Sequence, residues 1–322
     1  MESIDIIRSI FSYLTTNEQW KLREVCRVFN QNLRAREEHL LDDKILFFRL
    51  PYKQIEVMEI EEPEKVKSRE TQVSFKVFSN AICRVSKFEY FFHGGRNLET
   101  EASEKTVLVN SQNTKILKLL PPSNQHYEFK RFGHACSFYN GYVYLFGGLD
   151  TEQKTRREAM KYCLQQQTWS QIASLPEPIS KVTCTTCQAG ILVGGQGSPD
   201  VYLYSPTQDN YVVSFSGLPE NCMKILMKAK YNLVYMIVDQ KLHKLDSGNW
   251  EEISHGEKYP QIRHALTWFP TRYRNHFYLC DGMRKLYLFN LENFELKMCG
   301  EYMLSGRKHP YLKWERNYDH EV

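Results

Sequence analysis

Apolar residues recur at helical spacing near the start of the chain, and beyond about residue 45 they fall into short runs of strand length. Ile6, Ile7, Ile10, Phe11 and Leu14 share one face of a helix that Ser3 or Asp5 can cap. Thr15-Thr16-Asn17 breaks the pattern. Asn17 caps a second helix, whose apolar stripe is Trp20, Leu22, Val25, Cys26, Phe29 and Leu33. A third short helical stretch spans Arg34 to Leu41. A unit of about forty residues buries little surface by itself, so it is expected to lean on the downstream domain, a partner, or both.

Downstream, the pattern repeats. Gly94-Gly95, Gly147-Gly148 and Gly194-Gly195 each end an apolar run (Tyr90 to His93, Val143 to Phe146, Ile191 to Val193) and recur at intervals of roughly 50 residues. After each pair come a variable polar stretch, a second run (Thr106 to Val109, Met160 to Cys163, Val201 to Tyr204) and a last run closing on Leu120-Pro121, Leu175-Pro176 or Leu218-Pro219. The clearest copy runs from Arg131 to Pro176, with Gly133-His134 opening its first strand. Asn140-Gly141 supplies the two positive-φ residues of a tight hairpin. Tyr144, Tyr162 and Trp169 are expected to pack between neighbouring units, and the glycine pairs to lie where inner strands crowd toward a central channel. Two eroded copies keep the spacing without the glycines. One has Tyr231 to Val238, Leu242 to Asp246 and Trp250 to Ile253; the other has Phe277 to Asp281, Leu286 to Asn290 and Phe294 to Leu296.

This order of elements resembles the kelch repeat, which implies a mainly β fold, a β-propeller of four-stranded blades. The clear repeats cover about 71–300, and six blades are expected, with five or seven as alternatives. The sixth is expected to be split. Lys44 to Leu50 and Ile55 to Ile60, ending at Pro63, are expected to supply its last two strands, and Tyr302 to Arg316 the first strand or two, closing the ring without a free edge. The propeller then occupies 44–322 and the helical segment 1–43. Ile10, Phe11 and Leu14, followed by Val25, Cys26, Arg27, Phe29 and Asn30, resemble an F-box, although the Leu-Pro pair that usually opens that motif is missing. F-boxes dock a Skp-family adaptor and bring a substrate to a cullin–RING ubiquitin ligase. The resemblance therefore implies adaptor contacts through Ile10, Phe11, Leu14, Val25, Cys26 and Phe29. The alternative is a non-enzymatic kelch scaffold or cytoskeletal interaction protein whose helices only cap the propeller.

Composition narrows the function classes. In 322 residues, 42% hydrophobic and 13% aromatic side chains suit a large β core. The net charge of +4 comes without a basic stripe and argues against a nucleic-acid partner. No apolar run approaches the ~18 residues of a membrane span, and Met1-Glu2-Ser3-Ile4-Asp5 lacks the signal-peptide pattern. Nine cysteines, an odd count, fit reduced thiols in a cytoplasmic or nuclear protein. Cys184 and Cys187 have C-x-x-C spacing, but a zinc site would need a second pair, and residues three apart in a strand point to opposite faces. No phosphate loop, nucleophile elbow or dinucleotide fingerprint occurs. The ligand set of the copper radical oxidases found among kelch propellers is not indicated either. The expectation is a non-enzymatic chain without metal or cofactor.

Binding is the remaining class. The loops after the glycine pairs present Arg96, Asn97, Asp150, Gln196 and Ser198, and the segments entering each blade present Arg131, Lys181 and Arg263. These form an expected partner-binding rim for a substrate protein. Arginine on a rigid rim can fork onto a carboxylate or phosphate, which points to an acidic or phosphorylated segment.

Overall fold

The computed structural model describes residues 44–49, 54–62, 65–74, 81–86, 89–96, 101–110, 116–120, 129–219, 226–230, 233–238, 241–246, 249–253, 267–270, 276–280, 285–290 and 294–301. The helical segment expected over 1–43, with its adaptor residues, and the tail expected over 302–316 lie outside them.

The described chain is mainly β. Strands β1 (Lys44–Arg49), β2 (Gln54–Glu62) and β3 (Lys65–Ser74) form a three-stranded antiparallel sheet. Five four-stranded sheets follow. The first holds β4 (Ala81–Arg84), β5 (Glu89–His93), β6 (Thr106–Asn110) and β7 (Ile116–Leu120). The second holds β8 (Ala135–Tyr139), β9 (Tyr142–Phe146), β10 (Ala159–Cys163) and β11 (Thr168–Ile172). The third holds β12 (Ser180–Cys187), β13 (Gly190–Gln196), β14 (Asp200–Ser205) and β15 (Asn210–Ser216). The fourth holds β16 (Leu226–Lys230), β17 (Leu233–Val238), β18 (Lys241–Asp246) and β19 (Asn249–Ile253). The fifth holds β20 (Thr267–Pro270), β21 (His276–Cys280), β22 (Lys285–Asn290) and β23 (Leu296–Glu301). Every sheet is an antiparallel meander in chain order. Both eroded copies thus form complete four-stranded sheets. The sequence reading stopped the first sheet at Pro63, yet β3 pairs with β2 from Lys65 onward, with Glu62 opposite Lys65 and Glu59 opposite Lys67. Its run is mostly polar, so apolar alternation did not mark it.

The hairpin at Asn140-Gly141 follows the expectation: φ is 48° and 83°, and Tyr139 pairs directly with Tyr142. In β9 the side chains alternate between faces, yet both faces are buried. Val143 and Leu145 pack with Phe91, Phe129 and Tyr162 toward the preceding sheet. Tyr144 and Phe146 pack with Ile191, Val193, Tyr202 and Tyr204 toward the following one. β13 does the same, sending Leu192 to meet Met227, Val234, Met236 and Val238. Each inner strand therefore lies between two sheets, which explains why it reads as a continuous apolar run rather than an alternating one. Burial of each such side chain contributes about 1.5–3 kcal/mol, and this holds the fourth sheet in place where the glycine pair is gone. The first strands meet in succession, β4 with β8, β8 with β12, β12 with β16 and β16 with β20. Sheets packed face to face along their first strands are consistent with a kelch β-propeller.

Tyr162 and Trp169 pack between sheets as expected. They face each other across β10 and β11 with ring centroids 4.8 Å apart, and lie 5.8 and 6.4 Å from Phe91. In the next sheet Tyr204 and Tyr211 repeat the pair at 4.9 Å, against Tyr144 at 5.7 Å. The glycine pairs do crowd a neighbour, but that neighbour is an entering segment: the one before the next sheet at Gly147 and the one before their own sheet at Gly148. A Cβ on Gly147 would sit 2.7 Å from the Ile179 carbonyl, and one on Gly148 2.7 Å from His134 Cβ, with φ of 57° and 92° respectively. Gly194 and Gly195 instead remain inside β13.

Replacing Gly148 with Ala is expected to cost about 3 kcal/mol or more, because strained φ and overlap combine. Gly141→Ala, where nothing lies within 4 Å, should cost only the left-handed backbone term of about 1–2 kcal/mol. Urea denaturation of the two variants checks this; equal losses would rule out the close-approach account.

Candidate functional site

The loops leaving the second strands and the segments entering the next sheets are knitted by backbone hydrogen bonds. The Gly95 amide donates to the Arg131 carbonyl at 2.8 Å, Arg131 to Ser103 at 3.2 Å, and Ser103 back to Gly95 at 2.7 Å. Phe132 and Leu149 exchange bonds of 3.0 and 2.8 Å. Gly148 donates to Ile179 at 2.8 Å, Arg156 to Gly148 at 2.9 Å, and Val182 to Gly133 at 2.9 Å. These bonds join the segments that carry Arg96, Arg131, Asp150 and Lys181, while Gln196 and Ser198 follow at the end of β13. Asn97 and Arg263 lie outside the described residues.

The six differ in what they offer. The Arg96 guanidinium lies 5.0 Å over the Phe132 ring. Arg131 is buried, 4.7 Å over Phe129, with its Nη2 3.3 Å from Glu158. Ser198 is buried, sharing a 3.2 Å hydrogen bond with the Tyr202 hydroxyl and accepting from the Asp200 amide at 3.1 Å. Gln196 is half-buried opposite Ser180 at the end of β13. Asp150 staples its own loop. Its Oδ1 accepts from the Glu152 and Lys154 amides, both at 2.9 Å, and its Oδ2 from Arg156 Nε at 2.6 Å. Burial pushes this carboxyl up, but the Lys154 amide and Arg156 outweigh burial and hold it below the usual range. Burial likewise opposes ionisation of Glu158, whose backbone hydrogen bond and neighbour Arg131 keep its pKa low.

Lys181 stands apart. It is exposed, adopts a left-handed φ of 45°, and sits where the β12–β13 register shifts between Ser180 and Thr183. A bulge of this kind re-aims a side chain. The bond from Val182 to Gly133 holds the backbone in that conformation. Among the described residues, Lys181 and the exposed Arg157 carry no side-chain ion pair, while Asp150, Glu152 and Glu158 each have a cationic partner. Glu177, in the segment that also carries Lys181, keeps a buried Oε2 with no hydrogen-bond partner among the described residues, so unmatched groups of both signs lie on this stretch of rim.

In the sequence His134 opens a strand after Gly133 and His93 ends an apolar run, with nothing to link the two. The fold joins them. His93, the last residue of β5, and His134, just before β8, are both buried with Nδ1···Nε2 at 2.9 Å and rings at 90°. His93 also packs 5.4 Å from Trp169. Burial, reinforced by the Arg131 charge, lowers His93 to about 3. Burial, then His93 and Arg131, holds His134 well below the ordinary imidazole value. Both rings are neutral at pH 7, one donating and one accepting. The only sequence signal was a His beside glycine in each segment; the pairing spans a sheet boundary. Cys184 packs with the cluster on one side of β12 and Cys187 with the cluster on the other, so their thiols diverge.

The model of the Kelch motif family matches residues 130–176, from the segment entering β8 to the proline after β11. With the successive four-stranded antiparallel sheets, this supports a kelch-repeat protein. Comparison with curated proteins gave no match.

The histidine pair makes an acid-sensitivity prediction. In the unfolded chain both imidazoles titrate near 6.5, whereas in the folded chain their values are depressed. Their contribution is present above that pH and is lost as pH falls, because the unfolded state takes up the protons first. Unfolding free energy should fall from about pH 6.5 towards pH 4 with a slope approaching two protons, about 2.7 kcal/mol per pH unit. Denaturant titrations across that range, repeated on a His93→Leu/His134→Leu double variant that should lose the slope, check this.

Proposed function

We propose that this chain is a substrate receptor of an SCF-type cullin–RING ubiquitin ligase. The kelch match suggests a protein-interaction module. In this reading the F-box-like residues Ile10, Phe11, Leu14, Val25, Cys26 and Phe29 hold a Skp-family adaptor, and the rim holds the protein to be ubiquitinated. The observation that carries the substrate half is the rim itself: a backbone-knitted frame on which Lys181 and Arg157 are exposed without a side-chain ion pair among the described residues. Such a frame favours an acidic or phosphorylated segment, because little conformational freedom is lost on binding and the charges are complementary. The five four-stranded sheets and the sheet of β1 to β3 make up the six blades of this proposal. The receptor performs no bond chemistry and works in the cytoplasm or nucleus. It raises the effective concentration of substrate beside the ligase.

Pull-down of a Skp-family adaptor by the full chain tests the proposal. Leu14→Asp and Val25→Asp should each abolish adaptor capture while the thermal transition is retained. Capture that survives both changes would favour a scaffold whose helices only cap the propeller. Arg157→Glu/Lys181→Glu should weaken capture of substrate by about tenfold or more and leave adaptor capture intact, consistent with loss of two charge contacts of roughly 1 kcal/mol each.

A further inference from the structure

The seam between the first and second four-stranded sheets holds polar groups that the described chain does not satisfy. Arg131 Nη1 and His134 Nδ1 are buried and have no hydrogen-bond partner among the described residues. The two residues are only 6% and 4% exposed. Buried polar atoms nearly always find a partner, and an exception points to a bound water or ion. Both of these belong to side chains packed on one ring. The Arg131 guanidinium lies 4.7 Å over Phe129, and the His134 ring lies 6.0 Å from it. The two residues are also tied to the first sheet. The Arg131 carbonyl accepts from the Gly95 amide at 2.8 Å, and His134 Nε2 lies 2.9 Å from His93 Nδ1.

The charge on Arg131 is only partly compensated. Its one ion pair among the described residues is the 3.3 Å contact of Nη2 with Glu158. That carboxylate is 39% exposed and is shared with Arg156, 4.0 Å away. Asp150, the other acid that acts on Arg131, is already held by Arg156 and by the Glu152 and Lys154 amides. Burial lowers the Arg131 pKa, and Glu158 offsets this only in part. A guanidinium nitrogen can only donate. His134 also donates from Nδ1 when His93 gives its Nδ1 proton to His134 Nε2. Two buried donors without an acceptor, one of them charged, fit an anion. Arg131 is set too deep for a segment of another chain, so the anion is small.

We propose that this seam binds one small anion of the halide class, held by Arg131 Nη1 with His134 Nδ1 as second donor. The ion supplies the acceptor that both nitrogens lack and completes the neutralisation of the buried guanidinium. Because it binds only where the two sheets are packed together, it stabilises the folded chain by mass action. Glu158 competes with it for the same guanidinium, which makes the strength of binding depend on that carboxylate. The inference does not rest on the ligase reading, which uses the exposed Lys181 and Arg157.

Thermal unfolding of the full chain at fixed ionic strength is the test, with sodium chloride replacing sodium gluconate, whose anion is too bulky for a buried site. The midpoint should rise with chloride and then level off in the manner of a single site. Arg131→Met should remove the rise. Glu158→Gln takes away the competing carboxylate and should lower the half-saturating chloride concentration by about threefold or more. Crystals soaked in bromide should show anomalous density within hydrogen-bond reach of Arg131 Nη1. A midpoint indifferent to chloride overturns the proposal, as does a rise that never levels off or that Arg131→Met retains. So does a half-point unmoved by Glu158→Gln, or a water at Nη1 that bromide does not replace. If Arg131→Met folds poorly, the Glu158→Gln shift and the bromide density still decide the outcome.

Discussion

Burial of both faces of each inner strand is the constraint on which this structure depends. β9 sends Val143 and Leu145 one way and Tyr144 and Phe146 the other, and β13 divides Ile191 and Val193 from Leu192 in the same manner. A sheet made this way has no finished face until neighbours cover both sides, so stability is a property of the series rather than of any one repeat. This is why the fourth sheet forms although its glycine pair is gone. The glycines permit close approach of the next segment, but the apolar faces supply the driving force.

The rim follows from that packing. Because successive sheets lie face to face, the loop after one second strand touches the segment entering the next sheet, and backbone bonds fix both. The geometry then sorts the side chains. Arg131 is drawn beneath the surface onto Phe129 and Glu158, Asp150 is used to close its own loop, and Ser198 turns inward to Tyr202. Lys181, forced outward by a bulge, remains available. The buried histidines below the rim belong to the same seam, and their neutrality is enforced by the lack of water and the nearness of Arg131.

The outer strands lie under the opposite regime. Their residues meet solvent, and charge or small polar groups keep them apart from other chains. β15, which carries two exposed valines and no charge, is interrupted by a bulge at Ser214 instead.

Much of the fold was legible in the sequence because its signals are local. Asn140-Gly141 names its turn, the glycine pairs and Leu-Pro endings mark the period, and Tyr162 and Trp169 announce an inter-sheet contact. β3 was not legible, since Lys65 to Ser74 offers little apolar alternation and its pairing depends on β2 being there. Of the site, the sequence named Arg96, Arg131, Asp150, Lys181, Gln196 and Ser198 from strand order alone, because strand order decides which loops share an end. Composition and period by themselves determined a repeating β-structure with both strand faces apolar. Only the tertiary structure decided that Arg131 is buried and Lys181 exposed, that His93 meets His134 across a sheet boundary, and that Gly148 crowds His134 and not a channel. Those outcomes depend on contacts between segments distant in the chain, such as the 41 positions between His93 and His134, and no local pattern encodes them.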